Sequence, residues 1–113
     1  MTAITTHILD ISAGCPARGV PIILERRTTT EWEIIGQGVT DEDGRLRDLI
    51  ESDMKIPPGD YRLTFDTKTY FTQQRIEGFY PQVTVTFTVR DAAQHYHVPL
   101  LLSPFGYSTY RGS

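Results

Sequence analysis

From Gln82 to Arg90 polar and apolar residues alternate without a break. Val83, Val85, Phe87 and Val89 point one way, and Thr84, Thr86 and Thr88 point the other. A strict period of two, carried by β-branched and aromatic residues, predicts a strand with one face on a core and one on polar surroundings. Shorter runs at 4–11, 20–27, 31–39, 45–49, 59–66 and 95–102 predict further strands. Turn chemistry separates them: Gly14-Cys15-Pro16, Asp41-Glu42-Asp43-Gly44, Pro57-Pro58-Gly59-Asp60, Gly78 and Pro104-Phe105-Gly106. The one helical candidate is short, 68–75. Many short strands with no sustained 3.6-residue pattern predict an all-β sandwich. No repeat, low-complexity tract or linker divides the chain, so one domain over 1–113 is expected.

Composition narrows the function classes. Eleven basic residues against 14 acidic ones give a net charge of -3, and no basic cluster exceeds Arg26-Arg27. Nucleic acid is therefore not an expected partner. Cys15 is the single cysteine. The fold must hold by packing without an intrachain disulfide, which suits a reducing compartment. The first residues lack a basic region followed by an apolar stretch, and no apolar run approaches a membrane span. A cytoplasmic protein without a membrane partner is the expectation.

Candidate chemistry concentrates in the histidines, one arginine and the last residues. His95 and His97 are two apart and share a face on a strand. Such a pair is a possible metal clamp with His7 as third ligand, but no carboxylate or thiol at ligand spacing accompanies it. Acid–base work for His97 is the sharper reading, because an imidazole titrates near neutral pH. His7 alone, in a strand, reads as a satisfied or surface histidine. Arg45 closes the turn that begins at Asp41, and by position alone is a solvated residue after a hairpin turn. In a pocket its guanidinium would bind a planar, carbonyl-rich anion. Arg47, two residues on, competes for that role. Ser108, Thr109 and Ser113 are possible nucleophiles, yet none sits in a Gly-x-Ser-x-Gly elbow. Cys15, before a proline, reads as inert. The pair Gly36-Gln37-Gly38 lacks what a dinucleotide site requires.

Several stretches together resemble the transthyretin-related 5-hydroxyisourate hydrolase family. They are Thr6-His7-Ile8-Leu9-Asp10, Gly14-Cys15-Pro16-Ala17, Thr40-Asp41-Glu42-Asp43-Gly44-Arg45, His97-Val98-Pro99-Leu100-Leu101 and Ser103-Pro104. The last is Tyr107-Ser108-Thr109-Tyr110-Arg111-Gly112-Ser113, and its Tyr-Arg-Gly-Ser ending is the most specific. The resemblance covers essentially the whole chain. Transthyretin, the hormone carrier on the same fold, lacks that ending and the histidine–arginine set.

The resemblance implies a transthyretin-like sandwich of two four-stranded sheets with one short helix. It implies a homotetramer, a dimer of dimers, with active sites in a channel between dimers. It implies hydrolysis of 5-hydroxyisourate in urate breakdown, by water attack on a ring carbonyl, with no metal or cofactor. The product would be 2-oxo-4-hydroxy-4-carboxy-5-ureidoimidazoline, which a separate enzyme decarboxylates. Carried over by motif, His7, Arg45, His97 and Ser113 would be catalytic, and Tyr110, Arg111 and Gly112 would shape the substrate pocket. A transthyretin-like carrier without turnover is the alternative. A cell-surface interaction sandwich is a third reading, disfavoured by the absence of a signal peptide.

Overall fold

A computed structural model describes residues 3–51 and 54–112 of the chain. The described elements are β1 (Ile4–Asp10), β2 (Cys15–Pro16), β3 (Pro21–Arg27), β4 (Trp32–Val39) and β5 (Gly59–Phe65), then α1 (Thr67–Gln73), β6 (Val83–Val89), β7 (Tyr96–Ser103) and β8 (Gly106–Thr109). The strands form two four-stranded sheets, β2-β1-β7-β8 and β4-β3-β5-β6. The expected two sheets and single short helix are borne out. Neighbouring strands run antiparallel except β1 and β7, which are parallel.

Alternation decides what lies between the sheets. On β1, Ile4, Thr6, Ile8 and Asp10 are buried while Thr5, His7 and Leu9 are half-buried on the outer face. On β6 the burial follows the alternation of the sequence, with Val83 and Val89 buried and all three threonines exposed. Leu24, Leu63, Phe65 and Leu100 join the shared core. Each such side chain removed from water contributes about 1.5–3 kcal/mol. The buried Thr6 and Thr40 hydroxyls are satisfied by the carbonyls of Val98 (2.7 Å) and Ala17 (2.7 Å), as buried polar groups require.

Helix α1 starts where Asp66 can cap it. The Asp66 carboxylate accepts from the Thr69 amide at 3.0 Å and from its hydroxyl at 2.6 Å. The helix ends two residues before the expected limit. Arg75 takes the left-handed conformation at φ 58°, and the amides of Gln74 and Ile76 both turn back to the Phe71 carbonyl.

Three expectations need correction. Residues 45–49 do not form a strand; only Arg45 makes an isolated bridge, to His7. Beyond Arg45 the segment approaches Gly36 and Gly38 of β4, where no Cβ stands in the way, and Leu49 and Ile50 then enter the core. Side-chain burial thus outweighs edge pairing there. Cys15 and Pro16, read as a turn, pair with Asp10 and Leu9 as β2. Tyr107, Ser108 and Thr109, read as the start of a polar end, pair with Leu102, Leu101 and Leu100 as β8. Both strands are edges, where few residues and little apolar character suffice.

Candidate active site

The site grows from the middle of the first sheet. The parallel register sets Thr5 beside His97 and His7 beside Pro99. His97 is half-buried between the buried Tyr96 and Val98, so it stands on the outer face with Thr5 and His7. Period two on two adjacent strands has brought together imidazoles that lie 90 positions apart in the chain.

Arg45 reaches this face from the turn after β4. The Asp41 carboxylate accepts from the amides of Asp43 (2.9 Å) and Arg45 (3.0 Å). The Asp41 amide donates to the Arg45 carbonyl at 2.8 Å. The Arg45 amide is the main reason the Asp41 carboxyl is held below its ordinary range. Gly44 has φ +74°, and a Cβ there would strike the Ile8 carbonyl. Without it, the Gly44 carbonyl accepts from the Ile8 amide at 2.8 Å. The turn is thereby fastened to β1, and Arg45 pairs with His7 as an antiparallel bridge.

The last residues split between two places. The Gly112 amide donates to the His97 carbonyl at 2.8 Å. A Cβ at Gly112 would stand 2.6 Å from Cδ2 of His97, so the chain packs directly on the ring. Tyr110 and Arg111 instead line an apolar cavity of about 250 Å³ with Val85, Phe87, Tyr96 and Val98, between the edge strands β6 and β8. The Arg111 guanidinium lies 4.6 Å from the Tyr96 ring centre, and its Nη2 donates to Gln94 Oε1 at 3.0 Å. In this arrangement the Arg111 guanidinium is held by the Tyr96 ring and the Gln94 amide. Ser113 lies outside the described residues.

Electrostatics single out His97. Its pKa is pushed below the ordinary value of 6.5, chiefly by burial, then by the positive charge of Arg45 and the nearby His95 and His7. The backbone of Thr5 opposes them. The ring is accordingly neutral at pH 7, the state a proton acceptor needs. Its Nδ1 lies 2.8 Å from the Thr5 hydroxyl, and the same hydroxyl lies 2.9 Å from Nε2 of His95. A shallow pocket of about 180 Å³ opens beside these groups, lined by Thr5, Thr6, Arg45, Leu46 and Arg47. Arg47 also faces the carboxylates of Asp41 and Asp43, each at 4.0 Å, in exposed ion pairs. Among the described residues, His7, His95 and His97 included, no three His, Cys, Asp or Glu side chains gather closely enough to hold a metal ion.

Two residues of this arrangement were not singled out from the sequence. Thr5 precedes His7 by two and so shares its face, a signal that period-two reasoning contains. Asp41 opens an Asp-x-x-Gly turn, where a carboxylate folding back on the main chain is a known habit.

The chain has counterparts among known proteins. The profile of the HIUase/Transthyretin family matches residues 4–112. A probable 5-hydroxyisourate hydrolase of Caenorhabditis elegans is 50% identical over 111 residues, covering 98% of this chain and 82% of that protein. The solved structure of Klebsiella pneumoniae 5-hydroxyisourate hydrolase superposes with a TM-score of 0.85 at 37% identity, covering 99% of this chain and 100% of the other. Sea bream transthyretin in complex with thyroxine superposes with a TM-score of 0.91 at 36% identity, covering 98% of this chain and 95% of the other. Backbone similarity therefore does not separate hydrolase from carrier; side chains must.

Proposed function

The chain belongs to the HIUase/Transthyretin family, and from that premise we propose that it is the enzyme that hydrolyses 5-hydroxyisourate in urate breakdown. The observation that carries this reading is the meeting of His7, Arg45 and His97 on one sheet face. A carrier has no need of a neutral imidazole beside a guanidinium. The relative that is half identical over nearly the whole chain is named a probable hydrolase, which supports the same reading.

Hydrolysis of a ring amide needs a base for water, donors for the developing oxyanion, and an acid for the leaving nitrogen. His97, held neutral, takes a proton from the attacking water. The Arg45 guanidinium hydrogen-bonds the carbonyl oxygen as it gains negative charge. The carbon–nitrogen bond breaks, and His7 supplies the proton the leaving nitrogen requires. The ring opens to a carboxylate, and no covalent enzyme intermediate is needed. The tail, held by Arg111 on Tyr96 and Gln94, presses Gly112 on the His97 ring and shapes that side of the pocket. Ser113 enters this scheme on the family resemblance alone.

The site lies on an outer sheet face, and in one chain the pocket beside it is open. A homotetramer, with facing subunits covering this surface, would close it against water, and we include that assembly in the proposal. We likewise treat residues 1–113 as one hydrolase domain. Among the described residues no helix is long and apolar enough to cross a membrane, and a cytoplasmic location is part of the proposal.

A thyroxine-type carrier is the second reading, favoured by the higher superposition score with the sea bream protein. The deciding experiment follows the ultraviolet absorbance of freshly generated 5-hydroxyisourate with and without the protein. Accelerated decay that depends on protein concentration supports the hydrolase. Binding without accelerated decay would leave the carrier.

A further inference from the structure

We infer that the Thr5 hydroxyl decides which ring nitrogen of His97 carries the proton, and that it ties His95 to that decision. The inference rests on the reading of His97 as the base. It adds Thr5 and His95 as positioning residues that need not touch substrate.

The geometry is a three-member chain. Thr5 Oγ1 stands between two imidazole nitrogens, Nδ1 of His97 at 2.8 Å and Nε2 of His95 at 2.9 Å. A hydroxyl has one proton to donate and lone pairs to accept with. A neutral imidazole has one N–H and one bare nitrogen. With both rings neutral, the chain is satisfied when the hydroxyl donates to one ring and accepts from the other. Two tautomeric patterns result, and they differ in the nitrogen that His97 leaves bare.

One pattern suits catalysis. If Nδ1–H of His97 donates to Thr5, the Thr5 hydroxyl donates to Nε2 of His95. His97 then keeps Nε2 bare, and this is the nitrogen not spent on Thr5. It adjoins Cδ2, the ring atom against which Gly112 packs. In the reverse pattern Nε2 carries the proton and His97 cannot take one from water there.

Protonation of His95 reverses the chain. An imidazolium has N–H on both nitrogens, so His95 can no longer accept from Thr5. The hydroxyl then accepts from His95, and its own proton is freed to turn toward Nδ1 of His97. Where it does so, the His97 proton sits on Nε2, and the base is lost without His97 gaining charge. The other charged or titratable groups facing His97 are His7 on β1 and Arg45 from the turn after β4. Both act on it through space, whereas only His95 shares the hydroxyl.

The test is a long-range ¹H–¹⁵N correlation spectrum of the ¹⁵N-labelled protein, which reads the tautomer of each histidine directly. Wild type in alkaline solution, where its histidines are neutral, is expected to show His97 protonated at Nδ1 and bare at Nε2. Thr5→Val, which keeps the shape and removes the hydroxyl, is expected to lose that signature and to lower kcat about tenfold or more with KM little changed. Thr5→Ser is expected to restore the signature and most of the rate. His95→Ala, which removes the nitrogen that accepts the Thr5 proton, is expected to reduce the share of His97 protonated at Nδ1. An unchanged His97 tautomer in Thr5→Val, or a wild-type His97 protonated at Nε2, overturns the inference. If Thr5→Val does not fold, the wild-type spectrum alone decides. Should His97→Ala prove fully active, the catalytic reading of His97 fails, and the spectrum still reports whether the hydroxyl sets the tautomer.

Discussion

Two polar groups sit three residues apart on β1 and face opposite sides of its sheet. Asp10 points inward and is 1% exposed. Its carboxylate accepts from the Ser12 amide (3.1 Å), the Ser12 hydroxyl (2.6 Å), the Ala13 amide (3.0 Å) and the Tyr70 hydroxyl (2.6 Å). Burial pushes its pKa up, but the hydrogen bonds from Ser12, Tyr70 and Ala13 together outweigh it and bring the carboxyl below its ordinary value. Tyr70 is pushed up to about 12, by burial first and then by its bond to Asp10. Both carboxylate oxygens accept from groups within the protein, and the bond from Tyr70 ties β1 to α1. His7 points outward to a half-open face, where His97 is destabilised as a cation and Arg45 is exposed. Nearness in sequence and kinship of chemistry do not make two polar groups alike. The closed cluster is structural, and the open one leaves its imidazoles and guanidinium on a half-open face.

The contrast breaks most visibly at the open cluster. His97→Ala, Arg45→Ala and His7→Ala are each expected to lower kcat/KM about a hundredfold or more, with the thermal midpoint nearly unchanged. A folded His97→Ala protein turning over at the wild-type rate would remove His97 from the site. Gly112→Ala tests the tail through the same ring. Its Cβ must displace Cδ2 of His97, and misplacing a base by a fraction of an ångström is expected to lower kcat roughly tenfold to a hundredfold. Wild-type kinetics in that variant would show that the tail packs on His97 without shaping catalysis.

At the closed cluster the outcome should invert. Tyr70→Phe is expected to cost roughly 1.5–3 kcal/mol of stability in urea unfolding, the range for a bond to a charged group, and to leave kcat unaltered. The lowered carboxyl pKa of Asp10 means its contribution is present above the unfolded-state value and lost as pH falls through the folded-state value. The gap between Tyr70→Phe and wild type should therefore narrow in acid. A gap that widens in acid would contradict the assignment of charge to Asp10.

A smaller effect sharpens the electrostatic side. Arg45→Gln removes a positive charge that depresses the His97 pKa. NMR titration should find His97 titrating at higher pH in that variant, closer to an ordinary histidine. Movement to lower pH would mean that burial, not Arg45, responds to the change. The smallest effect is expected at Arg47→Ala, whose exposed ion pairs at 4.0 Å are screened by solvent and contribute little. Turnover should fall far less than in Arg45→Ala, and a comparable loss would exchange the roles of the two arginines.

Much of this was legible in the chain. Val83, Val85, Phe87 and Val89 announced their strand because burial on one face imposes period two, a local rule visible in any window. The same rule put His95 and His97 on one face, and the family resemblance named His7, Arg45, His97 and the tail. Residues 45–49 were misread because Leu46, Leu49 and Ile50 supply apolar character without saying which surface they cover. Cys15–Pro16 and Gly106–Thr109 were missed as strands because a short edge draws its stability from its partner. Sequence by itself thus determined the strand set of the core, the sandwich class and the residue types available for chemistry, all consequences of local periodicity and composition. Tertiary structure alone decided that β1 lies parallel to β7, that Gly44 lets the Arg45 turn fasten to Ile8, that Arg111 turns to Tyr96, and that Thr5 stands between two imidazoles. Those are contacts between segments far apart in the chain, and they are set by which surfaces pack, information that no single stretch of sequence carries.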